Sequence, residues 1–260
     1  MNALEASILA VVQGLTEFLP VSSSGHLALA AQIMDIPEAS LSFDIVLHLG
    51  TLLAVFAYYW KDITNLCKGI FTRDRKSINL GLTLIAGTLP VAIVGYLFGD
   101  FITSLRESIV FVSSALVVTG FILFVTSKIP EKKENESVSF KRGLLVGIAQ
   151  TIAIFPGISR SGTTICTGLS VGLSRSEAAR FSFLLAIPAI LGAAVKELPH
   201  ASWNIPFSNI IIGFVVSALV GFAALTLLVK FVKAGKLSGF AWYCWSIAVA
   251  GFVMYFVKGM

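Results

Sequence analysis

The chain reads Gln13-Gly-Leu-Thr-Glu-Phe-Leu-Pro-Val-Ser-Ser-Ser-Gly-His26 inside an otherwise apolar segment, residues 6–33. A second apolar segment, residues 144–173, contains a similar interruption, Pro156-Gly-Ile-Ser-Arg-Ser-Gly-Thr-Thr164. Proline, charge and clustered hydroxyl groups prevent either segment from crossing a bilayer as one uniformly apolar helix. We therefore predict two re-entrant helical hairpins, each inserting and returning on one face of the membrane and turning at its polar residues. Irregular backbone at that depth must be buried in protein or line a wet cavity.

The composition of the 260-residue chain predicts an all-α polytopic membrane protein. Hydrophobic residues make up 56% of the chain and charged residues 13%, and the mean hydropathy is +0.89. A soluble domain of this size has too few polar residues to cover so much apolar surface. The formal charge of +5 does not indicate a nucleic-acid partner, because Lys and Arg in such a protein set its orientation in the membrane.

Four uncharged stretches are long enough to span a hydrocarbon core of about 30 Å, and two weaker ones bring the plausible spans to six: residues 43–60, which contain Asp44 and His48, and the short stretch 181–195. The connections 61–77, 128–142 and 230–236 carry thirteen Lys and Arg residues, whereas the connections 99–108 and 196–206 and the C-terminal tail together carry three. The positive-inside rule places the first set in the cytoplasm and both termini outside. The six predicted transmembrane helices are residues 43–60, 78–98, 109–127, 181–195, 207–229 and 237–257.

The two interrupted segments match each other at a constant offset of 137 residues. Each half of the chain then contains one hairpin and three spans, and an odd number of spans inserts the second half upside down. We predict one transmembrane domain, residues 1–260, built from two inverted repeats at about residues 1–127 and 141–258. In such folds the site lies near the midplane, where broken helices meet. The matched pairs are Gln13 with Gln150, Phe18 with Phe155, Val21 with Ile158, Ser22 with Ser159, Ser24 with Ser161 and Gly25 with Gly162.

The polar residues of the two hairpins suit the binding and transfer of a phosphate group. Ionisable groups at membrane depth are functional candidates, and here they are Glu17, His26 and Arg160. A guanidinium binds phosphate oxygens in a fork, and Gly/Ser turns that lead into helices present backbone N–H groups to an anion. A serine can attack phosphorus when a base such as His26 takes its proton. Glu17 can bind a divalent cation, or orient the histidine.

Plain structural roles are the alternatives for these residues. Arg160 is also a candidate for a simple ion-pair partner of Glu17. Serine and glycine often serve close helix packing in membranes. Asp44 and His48 lie one helical turn apart in the first predicted span, and this spacing fits either a supporting role at the site or a pair with each other.

Both motifs resemble signatures of the bacterial undecaprenyl pyrophosphate phosphatase family, known also for bacitracin resistance. Residues 13–26 look like its first signature, whose first position is Glu or Gln and here is Gln13. Residues 156–164 look like its second, a PGxSRSxxT pattern, and Leu47-His-Leu-Gly-Thr51 and Ala86-Gly-Thr-Leu-Pro90 are also similar to family stretches. The resemblance covers essentially the whole chain. It implies removal of the terminal phosphate from undecaprenyl pyrophosphate at the outer side of the bacterial plasma membrane, with help from a divalent cation, Mg²⁺ or Ca²⁺.

The resemblance also implies which residues act. Catalytic roles fall on Glu17, Ser23, His26 and Arg160, and Glu17 is in addition the candidate ligand of the divalent cation. Ser23 and a water molecule stay alternative nucleophiles. The residues expected to bind the substrate are Gln13, Ser22, Ser24, Gly25, Ser159, Ser161, Gly162 and Thr164.

Two classes of function fit inverted repeats: a lipid pyrophosphate phosphatase, and a membrane transporter or lipid flippase. The Ser-Ser-Ser-Gly-His turn beside Glu17 favours the hydrolase, because a carrier needs binding groups whereas a hydrolase also needs a base and a nucleophile. The expected partners are the lipid substrate and the surrounding membrane lipid, with no nucleic acid. The oligomeric state is open, and a homodimer is one alternative.

Overall fold

The computed structural model describes residues 1–34, 36, 41–130, 138–201 and 204–258. Over these residues the chain is α-helical, with short 3₁₀ turns at Leu105–Glu107, Thr151–Ile154 and Leu198–His200 and no β-strand. The helices are α1 (Ala3–Phe18), α2 (Ser23–Ile33), α3 (Leu41–Tyr58), α4 (Trp60–Phe71), α5 (Arg75–Ser104), α6 (Ile109–Thr126), α7 (Phe140–Gln150), α8 (Arg160–Ser170), α9 (Arg175–Glu197), α10 (Phe207–Lys233) and α11 (Ser238–Lys258).

The helices confirm an all-α polytopic membrane protein. Among the described residues, α5, α6, α9, α10 and α11 are each long and apolar enough to cross a bilayer. The bent pair of α3 and α4 supplies a sixth candidate span. Exposed apolar side chains such as Leu82, Tyr96 and Phe256 cover the outer faces of these helices, as expected where lipid replaces water as the solvent.

The basic segment 61–77, treated as a connection above, contains a helix instead. α4 turns away from α3 by 76°, and none of its residues is buried. Its apolar residues recur at helical spacing around Lys61 and Lys68, and this pattern favours a helix lying in the plane of the membrane interface. The side chain of Asp62 ties α4 to α9, because it accepts a hydrogen bond of 2.6 Å from Arg180.

The two predicted hairpins are present as helix pairs, α1 with α2 and α7 with α8. The longest of these four helices, α1, has 16 residues, or about 24 Å of length at the usual rise per residue. The other three have 11 residues each. All are therefore shorter than the hydrocarbon core of about 30 Å. Each pair reverses direction at its polar turn, so that the two turns lie inside the protein.

The two halves of the chain exchange packing partners. From the first half, α1 and α3 pack on α10 of the second half. From the second half, α7 and α9 pack on α5 of the first half. The remaining pair is α6 with α11. Glycines allow the close approaches: a side chain at Gly14 would collide with the backbone of α10. A side chain at Gly147 would likewise collide with the backbone of α5 at Gly87. Each hairpin is thus held by a long helix of the other half.

Candidate active site

The same serine pattern begins the second helix of each hairpin. Ser22 and Ser159 are the N-caps of α2 and α8, and each hydroxyl accepts the backbone N–H three residues further on. Ser22 also contacts the hydroxyl of Ser24 at 3.3 Å, and Ser159 contacts that of Ser161 at 3.2 Å. These equivalent bonds follow the 137-residue offset. Both turns therefore satisfy their first orphan N–H groups in the same way.

The two polar turns contact each other in the centre of the protein. The Ser161 hydroxyl donates to the carbonyl oxygen of Leu19 at 3.3 Å. Thr119 of α6 clamps the second turn, donating to the Gly157 carbonyl at 2.9 Å and accepting from the Ser159 N–H at 3.1 Å. Gly157 has φ +96°, a conformation that favours glycine. The hairpins thus meet turn to turn.

Glu17 is the centre of the polar cluster between the turns. One carboxylate oxygen, Oε1, accepts a bond of 2.6 Å from Nη2 of Arg160. The other, Oε2, accepts from the Ser23 hydroxyl at 2.7 Å and from Nε2 of Gln13 at 3.0 Å. Glu17 is 8% exposed. A buried carboxylate needs this many donors, because an unpaired charge at that depth is very costly.

His48 of α3 completes this cluster. Its Nε2 lies 3.7 Å from Glu17 Oε2. Its Nδ1 contacts the backbone carbonyl of Asp44, one turn earlier, at 2.8 Å. The Asp44 carboxylate makes a separate ion pair with Arg106 at 2.7 Å. His48 therefore lies at the site, which favours a supporting role there over a side-chain pair with Asp44. Its contact with Asp44 is to the backbone carbonyl and not to the carboxylate.

A cavity of about 780 Å³ extends from this cluster along α5 and α9. Its inner end is lined by polar residues of both hairpins, and its long walls carry apolar residues such as Val91, Ile93 and Ala193. Arg106, Lys196 and Glu197 line it where α5 and α9 end. Of the predicted site residues, those that line the cavity are Glu17, Ser22, Ser23, Ser24, Ser159 and Arg160.

Two donor groups on the cavity wall lack partners within the described residues. Arg160 Nη1 is buried and makes no hydrogen bond, although its sister Nη2 holds Glu17. Gln150, 1% exposed, has neither its amide nitrogen nor its amide oxygen bonded. Buried polar groups without protein partners are rare, and on a cavity wall such groups can bind a ligand that enters the cavity. Gln150 was not among the predicted site residues, and the one signal for it in the sequence is its match with Gln13 at the 137-residue offset.

The remaining predicted binding residues support the turns rather than line the cavity. The Thr164 hydroxyl contacts Ser182 of α9 at 2.6 Å and donates to the Arg160 carbonyl at 2.8 Å. Ser161 bonds Leu19, as above, and Gln13 bonds Glu17. Gly25 and Gly162 are buried, and a side chain at either would crowd the facing hairpin at Gly157 or Pro20. These residues fix the position of the groups that do face the cavity.

The structure does not bring His26 to the cluster. Its Nδ1 donates to the Ser22 carbonyl at 2.8 Å, and its Nε2 accepts from the Tyr243 hydroxyl at 3.0 Å. The two rings are stacked at 5.6 Å with 4° between their planes. His26 lines a separate apolar pocket of about 230 Å³ beside α11. His26 therefore lines a different pocket from Ser23, the serine for which it was expected to be the base.

The donor set does not form a divalent-cation site by itself. Among the described residues, no three His, Cys, Asp or Glu side chains cluster as metal ligands would. Both oxygens of Glu17, the candidate ligand, already accept hydrogen bonds, one of them from a guanidinium. Divalent cations prefer several free oxygen ligands without a neighbouring positive charge. A carboxylate at residue 13 would supply a second oxygen ligand for a cation, but this chain has Gln13 at that position.

Fold and site define a class: polytopic membrane proteins in which two helical hairpins meet around a buried carboxylate, guanidinium and serine. The family model described as bacitracin resistance protein BacA matches residues 6–250, and the chain belongs to this family. It is 40% identical over 272 residues to an undecaprenyl-diphosphatase of Methanosphaera stadtmanae, with 98% of each chain covered. It is 42% identical over 245 residues to one of Thermosipho africanus, covering 94% of this chain and 97% of the relative. The undecaprenyl-diphosphatase of Halothermothrix orenii is 39% identical over 254 residues, 96% of each chain.

Proposed function

We propose that this protein hydrolyses undecaprenyl pyrophosphate to undecaprenyl phosphate and inorganic phosphate, and so recycles the lipid carrier of cell-wall synthesis. Membership of the BacA family and the names of the relatives support this activity. The observation that carries it is the pair of unsatisfied donors, on Arg160 and Gln150, beside the hydrogen bond from Ser23 to Glu17. An anion with many oxygens satisfies those donors next to a nucleophile and its base.

The shape of the cavity supports a lipid substrate. Its inner end offers Arg160, Gln150 and the serines of both turns to the pyrophosphate, while α5 and α9 offer apolar walls to the polyprenyl chain. Arg160 is suited to grip two phosphate oxygens with its planar fork. As Nη1 and Nη2 share the incoming charge, the hold of Arg160 on Glu17 weakens and the carboxylate becomes a better base for Ser23.

The proposed first step is attack by Ser23. Its oxygen bonds to the terminal phosphorus while its proton passes to Glu17 Oε2, which already accepts that hydroxyl at 2.7 Å. The bond from phosphorus to the bridging oxygen breaks, and this oxygen leaves on undecaprenyl phosphate with its electron pair. Arg160 stabilises the charge that builds on the transferring group. A water molecule as direct nucleophile is the alternative, and trapping of phosphoserine distinguishes the two.

We further propose that the cavity opens to the outer side of the bacterial plasma membrane. It is lined at one end by Arg106 and Lys196, which belong to the two sparsely charged connections. α4 and the basic segment 230–236 belong to the opposite, basic set. The positive-inside rule then assigns the open end to the outside. Lys132 and Lys133, two of the counted basic residues, lie outside the described residues.

The inverted repeat is part of the same proposal. The exchanged packing of α1 on α10 and α7 on α5, and the equal serine bonds of the two turns, support it. The same symmetry supports a lipid transporter as second candidate, because transporters use such repeats. The hydrogen bond from Ser23 to Glu17 favours hydrolysis, since transport needs no activated hydroxyl. The divalent cation stays a prediction, since the side chains in the described part of the chain form no site for it by themselves.

The test is phosphate release from a polyprenyl pyrophosphate by the purified full-length protein in detergent micelles. The native protein should release one inorganic phosphate per lipid monophosphate formed, and Arg160→Ala should release almost none. A parallel reaction with a chelator measures the contribution of a divalent cation. Native protein that binds the lipid but releases no phosphate, with or without added Mg²⁺ or Ca²⁺, contradicts the hydrolase and favours the transporter.

A further inference from the structure

We propose that His48 is the general base of the second half of the reaction: it takes a proton from the water that removes phosphate from Ser23. This inference rests on the proposed phosphatase function and assigns a role to a residue whose function the sequence leaves open. It depends on three observations: the tautomer that the structure imposes on His48, the position of its free nitrogen, and the occupation of Glu17.

The backbone of α3 sets the tautomer of His48. Nδ1 lies 2.8 Å from the Asp44 carbonyl oxygen, and a carbonyl oxygen only accepts hydrogen bonds. Nδ1 must therefore carry the hydrogen, and in the neutral ring the lone pair is on Nε2. This fixing of one nitrogen by a carbonyl is a usual way to orient a catalytic imidazole. In its neutral form His48 thus presents a proton acceptor, Nε2, on its other side.

The second ring nitrogen of His48, Nε2, faces Glu17 and the hydroxyl of Ser23 that Glu17 holds. Nε2 lies 3.7 Å from Glu17 Oε2, the oxygen that holds the Ser23 hydroxyl. The side chain is 34% exposed and lines the main cavity, so water in that cavity can reach it. His48 therefore lies next to the groups that would hold the phosphorylated Ser23, in a cavity from which water can reach its Nε2.

The other two histidines lack this arrangement. His26 has the same bond from Nδ1 to a backbone carbonyl, but its Nε2 already accepts the Tyr243 hydroxyl at 3.0 Å. It also lines the separate pocket beside α11. His200 is exposed in the 3₁₀ turn after α9 and does not line the cavity. Only His48, of the three histidines in the chain, combines an orienting bond with an acceptor facing Glu17.

The two half-reactions need two different proton acceptors. After Ser23 has attacked, Glu17 carries the serine proton and stays hydrogen-bonded to the serine oxygen, which is now covalently bound to phosphorus. In the second half, water oxygen bonds to phosphorus, the bond from phosphorus to Ser23 breaks, and Glu17 returns its proton to the serine oxygen. Glu17 acts here as an acid, so the proton lost by the water must go elsewhere. His48 Nε2 receives it and later releases it to solvent through the cavity.

This division of roles predicts that loss of His48 separates the two halves. His48→Asn keeps a donor for the Asp44 carbonyl but has no basic nitrogen. Native and variant proteins are mixed with polyprenyl pyrophosphate labelled in its terminal phosphate and quenched with acid after milliseconds to seconds. We expect His48→Asn to form about one protein-bound label per active site, located on Ser23, while steady-state release falls by roughly 10²-fold or more, the scale of general-base catalysis. His200→Asn is the matched control and should resemble the native protein in both measurements.

A second variant tests the base directly. His48→Ala removes the ring that lines the cavity, and added imidazole should restore release of the bound phosphate by at least about tenfold, whereas it should not change the rate of His200→Ala. Loss of turnover in His48→Asn without protein-bound label, or near-native turnover, overturns the assignment, as does absence of imidazole rescue in a labelled His48→Ala protein. If the native protein releases phosphate in these reactions, such results refute the role of His48 alone. If the native protein releases none, the phosphatase function itself is wrong.

Discussion

Arg160 Nη2 and Glu17 Oε1 lie 2.6 Å apart and join the two hairpins across 143 residues of sequence. Arg160 is the first residue of α8, and Glu17 lies near the end of α1. Neither charge is stable at this depth without the other, because removal of one partner leaves an uncompensated buried charge. The pair therefore couples assembly of the two hairpins to formation of the site. A phosphate that competes for Arg160 weakens this contact between the hairpins when it enters the site.

Arg160→Ala should abolish hydrolysis, and Arg160→Lys should restore little of it. Removal of a key transition-state donor costs roughly 10²-fold or more in turnover. A lysine keeps the charge but loses the planar fork, and it cannot hold Glu17 and a phosphate oxygen with two different nitrogens. Phosphate release by the purified variants measures this. Near-native turnover of Arg160→Lys would show that Arg160 is only a counter-charge for Glu17.

Ser23→Ala should remove activity far more completely than Ser161→Ala. Ser23 faces the cavity and donates to Glu17 Oε2, whereas Ser161 is 1% exposed and bonds the Leu19 carbonyl. Rapid quenching with labelled substrate should show phosphoserine at Ser23 in the native protein and none in Ser23→Ala. Retention of more than about a tenth of native turnover by Ser23→Ala, a barrier change below about 1.4 kcal/mol, would instead favour a water molecule as the nucleophile.

The hairpins and their central meeting point could be predicted because their signals are local. Charge and proline inside apolar segments exclude a simple span, and the 137-residue offset recurs in the bonds of Ser22 and Ser159. Hydropathy likewise predicts the long helices. α4 was missed because its basic residues read as a connection, although its apolar residues recur at helical spacing.

The different roles of His26, in α2, and His48, in α3, could not be predicted from sequence. His26 and His48 make the same local bond, from Nδ1 to the carbonyl four residues earlier, at 2.8 Å in each case. They differ only in the helix that each ring faces: α11 for His26 and α1 for His48. That difference comes from how α2 and α3 pack, and no spacing within either motif contains it.

His26→Ala should reduce turnover although the ring lies outside the main cavity. His26 holds the Ser22 carbonyl, and Ser22 has φ +68°, a backbone conformation that costs free energy in any residue but glycine. Loss of this bond lets the Ser22–Ser24 turn shift, and a misplacement of about 1 Å can lower the rate by roughly 10²-fold. His26→Asn should recover much of the rate, because a short amide can donate to a nearby carbonyl on its own helix.

The comparison of these two variants distinguishes positioning from proton transfer. Asparagine has no basic nitrogen, so a catalytic base at residue 26 would be lost equally in both. Turnover of His26→Asn as low as that of His26→Ala would contradict the positioning role. Tyr243→Phe removes only the hydroxyl that His26 accepts and keeps the stacked ring, so it should change turnover by less than about threefold, within the value of one hydrogen bond.

Gln13→Glu should make the protein bind divalent cations more tightly. The change replaces the amide that donates to Glu17 at 3.0 Å with a second carboxylate on the same helical face. Two carboxylates that share a site repel each other, and a bound divalent cation relieves this repulsion. Calorimetric titration of the purified variant with Ca²⁺ should show stronger binding than the native protein, and a chelator should slow the variant more. Equal binding by both proteins would show that residue 13 and Glu17 do not bind the cation together, and would favour a cation that enters with the substrate.

Orientation in the membrane can be tested on α4 itself. Ser137, within a connection that sequence assigns to the cytoplasm, lies outside the described residues, whereas Lys68 is exposed on the polar face of α4. With the exposed Cys67 replaced by serine, the remaining Cys166 and Cys244 are buried, so Lys68→Cys introduces one accessible thiol. The positive-inside rule predicts that an impermeant maleimide labels it only after the cells are permeabilised. In the same background, His200→Cys, at the end of α9 beside the open end of the cavity, should be labelled in intact cells. The reverse pattern would place the open end of the cavity in the cytoplasm, where a substrate released outside could not reach Ser23.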